Sequence, residues 1–462
     1  MDGNDGHYYS IDIYFMIGWF TFRMRIFKQV RHYIPLALLL ITQAALSQSE
    51  VRLRVETNAF ARIPVELKNC TPRQQAGVME AGRVLDILDN DLWMSSVIAS
   101  YRTDEQLAGQ NSPWLELAAR GSNEAFRLTV QPEIEVDNDN FTLTAQLRDG
   151  RSQLVLADKS YRGCRNNFRL LVHTLADDIV NILTGQKGIA QSRIVFTAQT
   201  QKAKELFVMD YDGTNPQQLT QNGSLNLTPA WSTDGRSVAF TTYQFGHPDL
   251  YFVDAVSGKP SFHLKQTGLQ SAPAWSPDGK RVAVASTHEG NAEIYVMNAG
   301  SAKLQRITIH PSTDTSPSWS PTGRELVFTS DRLGSPQLFI MDAEGGNVRR
   351  LTYTGNYNDS PSWSPQGDKI VYVSRVEGRF QIMTTDVTGE NAVPLTNSAS
   401  NEDPCWSPDG YRIAFSSTRE GGWDIYSMEW NGENVRRLTH RGNCTSPAWS
   451  ANVRPKEFFN CP

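Results

Sequence analysis

Few residues of this chain have the spacing that catalytic or metal-binding sites require. The 462-residue sequence contains no G-x-S-x-G motif, so it lacks the nucleophile elbow of an α/β-hydrolase peptidase. Its five cysteines include no C-x-x-C pair and its eight histidines are scattered, which argues against a structural metal site. Three acidic residues, Asp314, Asp359 and Asp403, recur near one repeat position and could hold a cation, although a solvated rim explains them more simply. We therefore predict no catalytic residue, no metal and no cofactor.

Cysteine usage and charge indicate the compartment and exclude one class of partner. Five cysteines fit an oxidising compartment, and we expect Cys70 to pair with Cys164 and Cys444 with Cys461, leaving Cys405 as a buried free thiol.

The net charge of −5 leaves no broad basic field, so nucleic acid is not expected as a partner. With 39% apolar and 20% charged residues, the chain can build real cores and is not a disordered protein.

The N-terminus has the pattern of a targeting segment. Residues 34–46 form an apolar run behind a basic stretch, and small residues at 45 and 47 suit cleavage by signal peptidase. The run is too short for a good transmembrane span. The sequence therefore predicts a signal peptide over residues 1–47, with Met24 as an alternative start, and an exported mature chain that is soluble and not membrane-spanning.

One pattern recurs six times in the second half of the chain. Each copy has a Pro-x-Trp-Ser strand followed by a turn that resembles Pro-Asp-Gly, and three further short stretches alternate like strands. The repeated tryptophans lie 43 or 44 residues apart, at Trp231, Trp275, Trp319, Trp363, Trp406 and Trp449. Four strands per period predict the blades of a β-propeller. We interpret the tryptophans as packing between blades rather than as ligand contacts.

The phase of the repeats predicts how the ring closes. The stretch at 193–198 resembles a second strand with no Pro-x-Trp strand before it, and the stretch at 446–450 is a Pro-x-Trp strand with no blade after it. If the C-terminal strand joins the first blade, both defects disappear and no sheet edge stays open. The sequence thus predicts a six-bladed propeller over residues 192–462.

Residues 61–187 lack the repeat and have the pattern of a smaller α/β domain. The sequence at 71–74 resembles a helix-capping box with proline at the first helical position. Alternating stretches on either side of Asp149-Gly150 predict a hairpin, and residues 168–182 have helical spacing that ends at Gly185. The predicted fold class is mainly β, with a six-bladed propeller after this α/β domain.

The junction between the two domains resembles the TolB family of the periplasmic Tol–Pal envelope system. The matching residues are Arg169, His173, Ala176-Asp177, Leu183-Thr184-Gly185, Gly188 and Arg193-Ile194. The mature start at residues 49–56 also resembles that family's N-terminal strand. His173 lies off the apolar stripe of its helix, so we expect an interdomain or surface contact there rather than a catalytic base.

The resemblance implies a non-enzymatic scaffold of the periplasm. Its propeller would bind the peptidoglycan-associated lipoprotein Pal, and its N-terminal tail at 48–60 would bind the inner-membrane protein TolA. The system would maintain outer-membrane integrity and constriction during cell division, and other outer-membrane proteins stay open as further partners. The alternative is a generic periplasmic propeller that binds a ligand or peptide, since fold alone does not separate the two.

Candidate binding residues follow from the same resemblance. The residues that lead into each Pro-x-Trp strand would contact Pal at the mouth of the propeller channel, at Thr228, Leu269, Ala272, Thr315, Ser316, Ser360, Asp403 and Ser446. The TolA-binding segment would be Glu50, Val51, Arg52, Leu53 and Arg54. Two simpler interpretations stay open. The small polar residues also suit strands that start at a solvated rim, and the tail could equally be an edge strand of the α/β sheet.

Overall fold

Short antiparallel strands make up most of the protein. The computed structural model describes residues 16–17, 20–21, 62–102, 128–137 and 140–452. Its main body is a six-bladed β-propeller preceded by a mixed α/β sheet domain, which confirms the predicted fold class. Near the N-terminus, β1 (Met16–Ile17) and β2 (Phe20–Thr21) form an antiparallel pair of their own. The rest of the predicted signal peptide and the predicted tail lie outside the described residues.

The α/β domain is a mixed sheet covered on one face by two helices. The strand order is β5-β3-β6-β7-β8, with β4 beside β6. The strands are β3 (Ile63–Leu67), β4 (Thr71–Pro72), β5 (Ile98–Arg102), β6 (Leu128–Asp137), β7 (Asn140–Asp149) and β8 (Val155–Cys164). The helices, α1 (Val78–Met94) and α2 (Phe168–Thr184), pack against each other and the sheet. Their apolar core continues into blade 1 of the propeller.

Local signals in this domain are partly confirmed. The hairpin at Asp149 forms between β7 and β8, and α2 ends at Gly185, whose φ of 72° places it in the left-handed region. The predicted capping box is wrong. Thr71 pairs with Glu133 of β6 as part of a strand, so α1 begins only at Val78, after a 3₁₀ turn.

The six blades share one plan of four antiparallel strands. The inner strands are β12 (Asn226–Trp231), β16 (Gln270–Trp275), β20 (Asp314–Trp319), β24 (Asn358–Trp363), β28 (Asn401–Trp406) and β32 (Cys444–Trp449). The second strands are β9 (Arg193–Gln199), β13 (Ser237–Thr242), β17 (Arg281–Ser286), β21 (Glu325–Ser330), β25 (Lys369–Val376) and β29 (Arg412–Ser417). The third strands are β10 (Lys204–Asp210), β14 (Asp249–Asp254), β18 (Glu293–Asn298), β22 (Gln337–Asp342), β26 (Arg379–Asp386) and β30 (Asp424–Glu429). The outer strands are β11 (Gln217–Gln218), β15 (Pro260–Leu264), β19 (Leu304–Arg306), β23 (Arg349–Arg350), β27 (Val393–Pro394) and β31 (Arg436–Arg437).

The ring is completed by strands from both ends of the propeller sequence. Blade 1 has the order β11-β10-β9-β32, so the C-terminal strand is the inner strand of the first blade. Trp449 of β32 pairs with Ile194 of β9, and Cys444 pairs with Ala198. The inner strands contact one another in sequence around the ring, and β32 contacts β12. This is the pairing that the phase of the repeats predicts.

The repeated tryptophans join neighbouring blades. Five of the six are buried, with 7–9% of each residue exposed, and Trp275 is half-buried. Trp319 donates its indole N–H to the Ala274 carbonyl oxygen of the preceding blade at 3.0 Å, and Trp406 bonds Ser362 in the same way at 3.1 Å. Their burial and hydrogen bonds fit the interpretation of blade-to-blade packing.

The predicted cysteine pairs do not form. Cys70 and Cys444 carry free thiols, whereas Cys164 is disulfide-bonded. Cys70 precedes β4, which pairs with β6, whereas Cys164 ends β8, so β6 and β7 lie between them. Three strand spacings come to about 14 Å, beyond the usual Cα separation of a disulfide. Cys405 is free, as expected, and half-buried, and Cys461 lies outside the described residues.

Candidate binding surface at the channel mouth

Every inner strand has the same backbone irregularity just before its proline. In blade 2 the register shifts between Leu227 and Ala230, which marks a β-bulge, and the other five blades repeat the shift. The residue before each proline has a φ between 47° and 54°, at Thr228, Ala272, Ser316, Ser360, Asp403 and Ser446. Residues other than glycine seldom adopt this left-handed conformation, and it often occurs at binding sites. We call these six residues the bulge ring.

The bulge ring coincides with six of the eight predicted Pal-contact residues. Thr228 is exposed, and the other five are half-buried. Thr315 lies one residue before Ser316 on β20, and Leu269 lies just before β16; both are half-buried. The eight residues thus lie at the start of inner strands that contact one another around the ring. The predicted TolA segment, residues 50–54, lies outside the described residues.

The mouth is acidic on one side. Asp359 of β24 accepts hydrogen bonds from the Ser360 backbone N–H at 2.6 Å and from the Thr329 hydroxyl at 2.8 Å. Asp403 of β28 accepts bonds from both the backbone N–H and the hydroxyl of Ser446 in blade 1, each at 3.1 Å. These hydrogen bonds hold the carboxylates in place. Both carboxylates also join neighbouring blades, Asp359 to Thr329 of blade 4 and Asp403 to Ser446 of blade 1.

Burial and like charge act together on this acidic side. Burial raises the pKa of the Glu402 carboxyl, and the charges of Asp403 and Asp359 raise it further. Burial likewise raises the pKa of Asp403, against the lowering effect of its hydrogen bonds with Ser446 and of Lys204. A cationic group on a partner would relieve this repulsion. On blades 2 and 3 the mouth carries uncharged residues instead, namely Thr228, Leu269 and Ala272.

The acidic residues do not form a metal site. Asp314 is fully buried and pairs with Arg332, whose Nη2 lies 2.9 Å from Oδ2, so it does not belong to the mouth surface. Within the described ranges, no group of three or more His, Cys, Asp or Glu side chains could hold a metal ion. Neither described helix has the length and apolar character needed to cross a membrane.

A buried polar cluster connects the α/β domain to the propeller. Asp91 of α1 accepts hydrogen bonds at 2.6 Å from the hydroxyl of Tyr211 in blade 1 and, through its other oxygen, lies 2.6 Å from Nδ1 of His173. The side chains of Asp91 and His173 and the whole of Tyr211 are fully buried. Burial, with the nearby Asp91 charge, raises the pKa of Tyr211 well above its usual value. His173 contacts the propeller through the ring of Tyr211, whose centroid lies 5.9 Å from that of the imidazole, so it makes an interdomain contact. Asp91 could have been recognised from the sequence, because it is a charged residue that lies beside Leu88 and Leu92 on the apolar face of α1.

A second interdomain contact uses stacked arginines. The guanidinium groups of Arg62 and Arg412 lie 5.1 and 5.8 Å from the ring centroid of Trp93 at the end of α1. Both arginines also pair with Glu429 of blade 6. Arg412 is fully buried, and burial lowers its pKa to about 10. These pairs hold α1 against blade 6.

Two copies of the repeated turn should respond differently to pH. Burial raises the pKa of Asp409 in blade 6 to about 6, whereas a hydrogen bond from the Ser276 hydroxyl lowers the pKa of Asp278 in blade 3. An acid with a raised folded pKa binds protons more tightly in the folded chain, so stability falls as the pH rises from about 4 to about 6. We expect Asp409→Asn to gain stability relative to the unmodified protein over this interval. Urea unfolding at about pH 4.5 and about pH 7 measures the difference.

The matched control for this prediction is Asp278→Asn. In that turn the folded pKa is lowered, so the carboxylate stabilises the fold above the unfolded pKa, and its replacement should bring no such gain. Identical pH profiles for the two variants would contradict the expected effect of burial at Asp409.

Comparisons with known proteins agree with this geometry. A family model described as the TolB beta propeller domain matches residues 180–453. The Tol-Pal system protein TolB of Desulfosudis oleivorans is 33% identical over 234 residues, which is 48% of this chain and 52% of that protein. The TolB of Geobacter sulfurreducens is 36% identical over 218 residues, 46% of this chain and 50% of that protein. The chain thus spans about half the length of the curated relatives it matches.

The likeness to a solved structure covers both domains. The crystal structure of TolB from Acinetobacter baumannii has a TM-score of 0.69 and 25% sequence identity, and the match covers 85% of this chain and 97% of that one. The resemblance to the TolB family is therefore confirmed by the family model, by the relatives and by a superposition that covers 85% of this chain. The chain belongs to the TolB family.

Proposed function

We propose that this protein is a non-enzymatic scaffold of the Tol–Pal system that works in the periplasm. Membership of the TolB family supports a Tol–Pal role without catalysis. The finer proposal is that the channel mouth binds the lipoprotein Pal and that the tail at residues 48–60 binds TolA. On this proposal the protein acts in outer-membrane integrity and in constriction during division, with other outer-membrane proteins as further partners.

The observation that carries the Pal proposal is the bulge ring. Six equivalent residues keep a costly left-handed backbone at the start of the inner strands, although the ladder on either side of each bulge is regular. Their side chains are small or short and polar, so a partner can approach the backbone closely. The carboxylates of Glu402 and Asp403 add a place for a cationic side chain of the partner, opposite the uncharged side at Ala272.

The test is a calorimetric titration of the mature chain, residues 48–462, with the soluble Pal domain of the same organism. We expect saturable binding that Ala272→Trp or Thr315→Trp weakens by at least about tenfold, because a large side chain at the mouth blocks close approach. Val393→Trp is the matched control, since Val393 lies on an outer strand and is 46% exposed. Equal loss in all three variants would contradict a site at the mouth.

The same titration distinguishes the tail from the mouth. A chain that lacks residues 48–56 should lose binding to the TolA domain. If tail and mouth are coupled, its affinity for Pal must change as well, because coupling between sites is reciprocal. Failure of the full mature chain to bind Pal at tens of micromolar would favour the generic ligand-binding propeller instead.

A further inference from the structure

The repeated blades allow each interblade position to be compared with five equivalents. In blade 4, Phe328 pairs with Phe339 and Leu326 pairs with Met341; the same register in blade 5 pairs Tyr372 with Met383 and Ile370 with Thr385. The position of Thr385 is otherwise filled by Met209, Val253, Met297, Met341 and Met428. The position of Tyr372 is otherwise filled by Phe196, Phe240, Val284, Phe328 and Phe415. Blade 5 alone has a hydroxyl at both positions.

Tyr372 and Thr385 line a cavity between blades 4 and 5. Tyr372 belongs to one apolar cluster with Ile340 and Leu351 of blade 4, so this face of blade 5 is turned toward its neighbour. A threonine in place of a methionine leaves space there, and a cavity of about 380 Å³ opens between Tyr372, Thr385 and the loop at 352–354. None of the lining residues belongs to an inner strand, so the cavity is separate from the bulge ring.

The cavity has unused hydrogen-bonding groups and no charge. Tyr372 is only 1% exposed, and its hydroxyl bonds to no described residue. Thr385 donates its hydroxyl to the Glu390 carbonyl oxygen at 2.8 Å, which leaves its oxygen able to accept. Asn391 donates one amide N–H to Asp386 at 2.6 Å, and its side chain has a second N–H and a carbonyl oxygen to offer a ligand. Tyr353, which also lines the cavity, is 67% exposed, and the Arg350 guanidinium lies 5.0 Å from the centroid of its ring.

We propose that this cavity binds a neutral saccharide unit of about hexose size. A sugar has hydroxyls around its rim, which can bond Tyr372 and Asn391, and an apolar C–H face, which can pack on an exposed aromatic ring such as Tyr353. An apolar ligand would leave the Tyr372 hydroxyl buried without a partner. A charged ligand would find no opposite charge among the lining residues. The site is independent of the proposed binding of Pal and TolA.

The experiment is a ligand-observed NMR titration of the mature chain with glucose and N-acetylglucosamine, and with glucosamine and glucuronate as charged comparators. We expect at least one neutral sugar to bind with a Kd on the order of millimolar and the charged sugars to bind more weakly. Thr385→Met gives blade 5 the residue that blade 4 has at this position, so it should fill the cavity and weaken binding at least about tenfold. Tyr372→Phe, which also copies blade 4, should weaken it about 2- to 10-fold.

The matched control comes from the neighbouring blade. Ile309, which is 82% exposed, occupies in blade 3 the loop position of Tyr353, so Ile309→Ala should leave sugar binding unchanged while Tyr353→Ala weakens it. Absence of binding by both neutral sugars at tens of millimolar would overturn the proposal and would indicate that the cavity holds only water. Undiminished binding by Tyr372→Phe and Thr385→Met would overturn it as well.

Discussion

Replacing Trp449 by alanine should lower the free energy of unfolding by about 3–5 kcal/mol, the usual cost of removing a buried tryptophan. Trp449 ends the closing strand, is 9% exposed and belongs to the apolar core shared with the α/β domain. Its indole N–H donates to the Ser192 hydroxyl at 2.8 Å. Truncation after Arg441 should cost more, because it removes the whole inner strand of blade 1. Urea unfolding followed by tryptophan fluorescence and far-UV circular dichroism measures both changes.

The repeat supplies the control for Trp449. Trp275 is half-buried, and the described residues offer its indole nitrogen no acceptor, so Trp275→Ala should cost less than Trp449→Ala. Trp449→Phe should lie between the unmodified protein and Trp449→Ala, because it keeps most of the packing and loses the hydrogen bond with Ser192. A truncated chain with the melting temperature of the full protein would contradict ring closure by the C-terminal strand.

Asp91→Ala should destabilise the protein by about 3–5 kcal/mol, as expected when one partner is removed from a buried polar cluster. The substitution leaves His173 and the Tyr211 hydroxyl buried without their shared acceptor. Because Asp91 lies between the two domains, we also expect the α/β domain to unfold at a lower urea concentration than the propeller. Far-UV circular dichroism of the helices, compared with fluorescence of the propeller tryptophans, distinguishes the two transitions.

Asp86→Ala is the matched control on the same helix. The Asp86 side chain is 67% exposed and pairs with Arg102 at 2.8 Å, and an exposed pair of this kind contributes only about 0–1 kcal/mol. Similar losses for Asp86→Ala and Asp91→Ala would mean that the buried cluster does not hold the two domains together.

The sequence predicts those features that repetition makes visible. A period of 43 or 44 residues, four strand-like stretches per period and an incomplete unit at each end suffice to predict six blades and their closure. Gly185 ends α2 as its position predicts, because a residue in the left-handed region commonly terminates a helix. These features depend on local backbone chemistry or on spacing, so the residues alone determine them.

Other features depend on distant packing, which a single sequence hides. The capping box at Thr71 fails because pairing with β6 takes that residue into a strand. The cysteine pairs fail because their assignment rested on nearness in sequence rather than on strand order. The residue before a proline is normally extended, so the left-handed φ of Ser316 could not be predicted from its neighbours. The role of Asp91 in joining the domains depends on its hydrogen bond with Tyr211 of the propeller, which is distant in the sequence.

Ring closure by β32 also means that blade 1 is the first blade to be started and the last to be completed during synthesis. Thr197 and Thr445, which bond across the closing pair, are 248 residues apart in the chain. At a synthesis rate of about 5–20 residues per second, roughly 10–50 s pass between the synthesis of β9 and the synthesis of β32, its inner neighbour. During that interval blade 1 has an open edge that can pair with other strands, and such long-range pairing forms slowly. A chain released before β32 is made cannot complete the ring. Closure of the propeller therefore requires that synthesis has reached the end of β32.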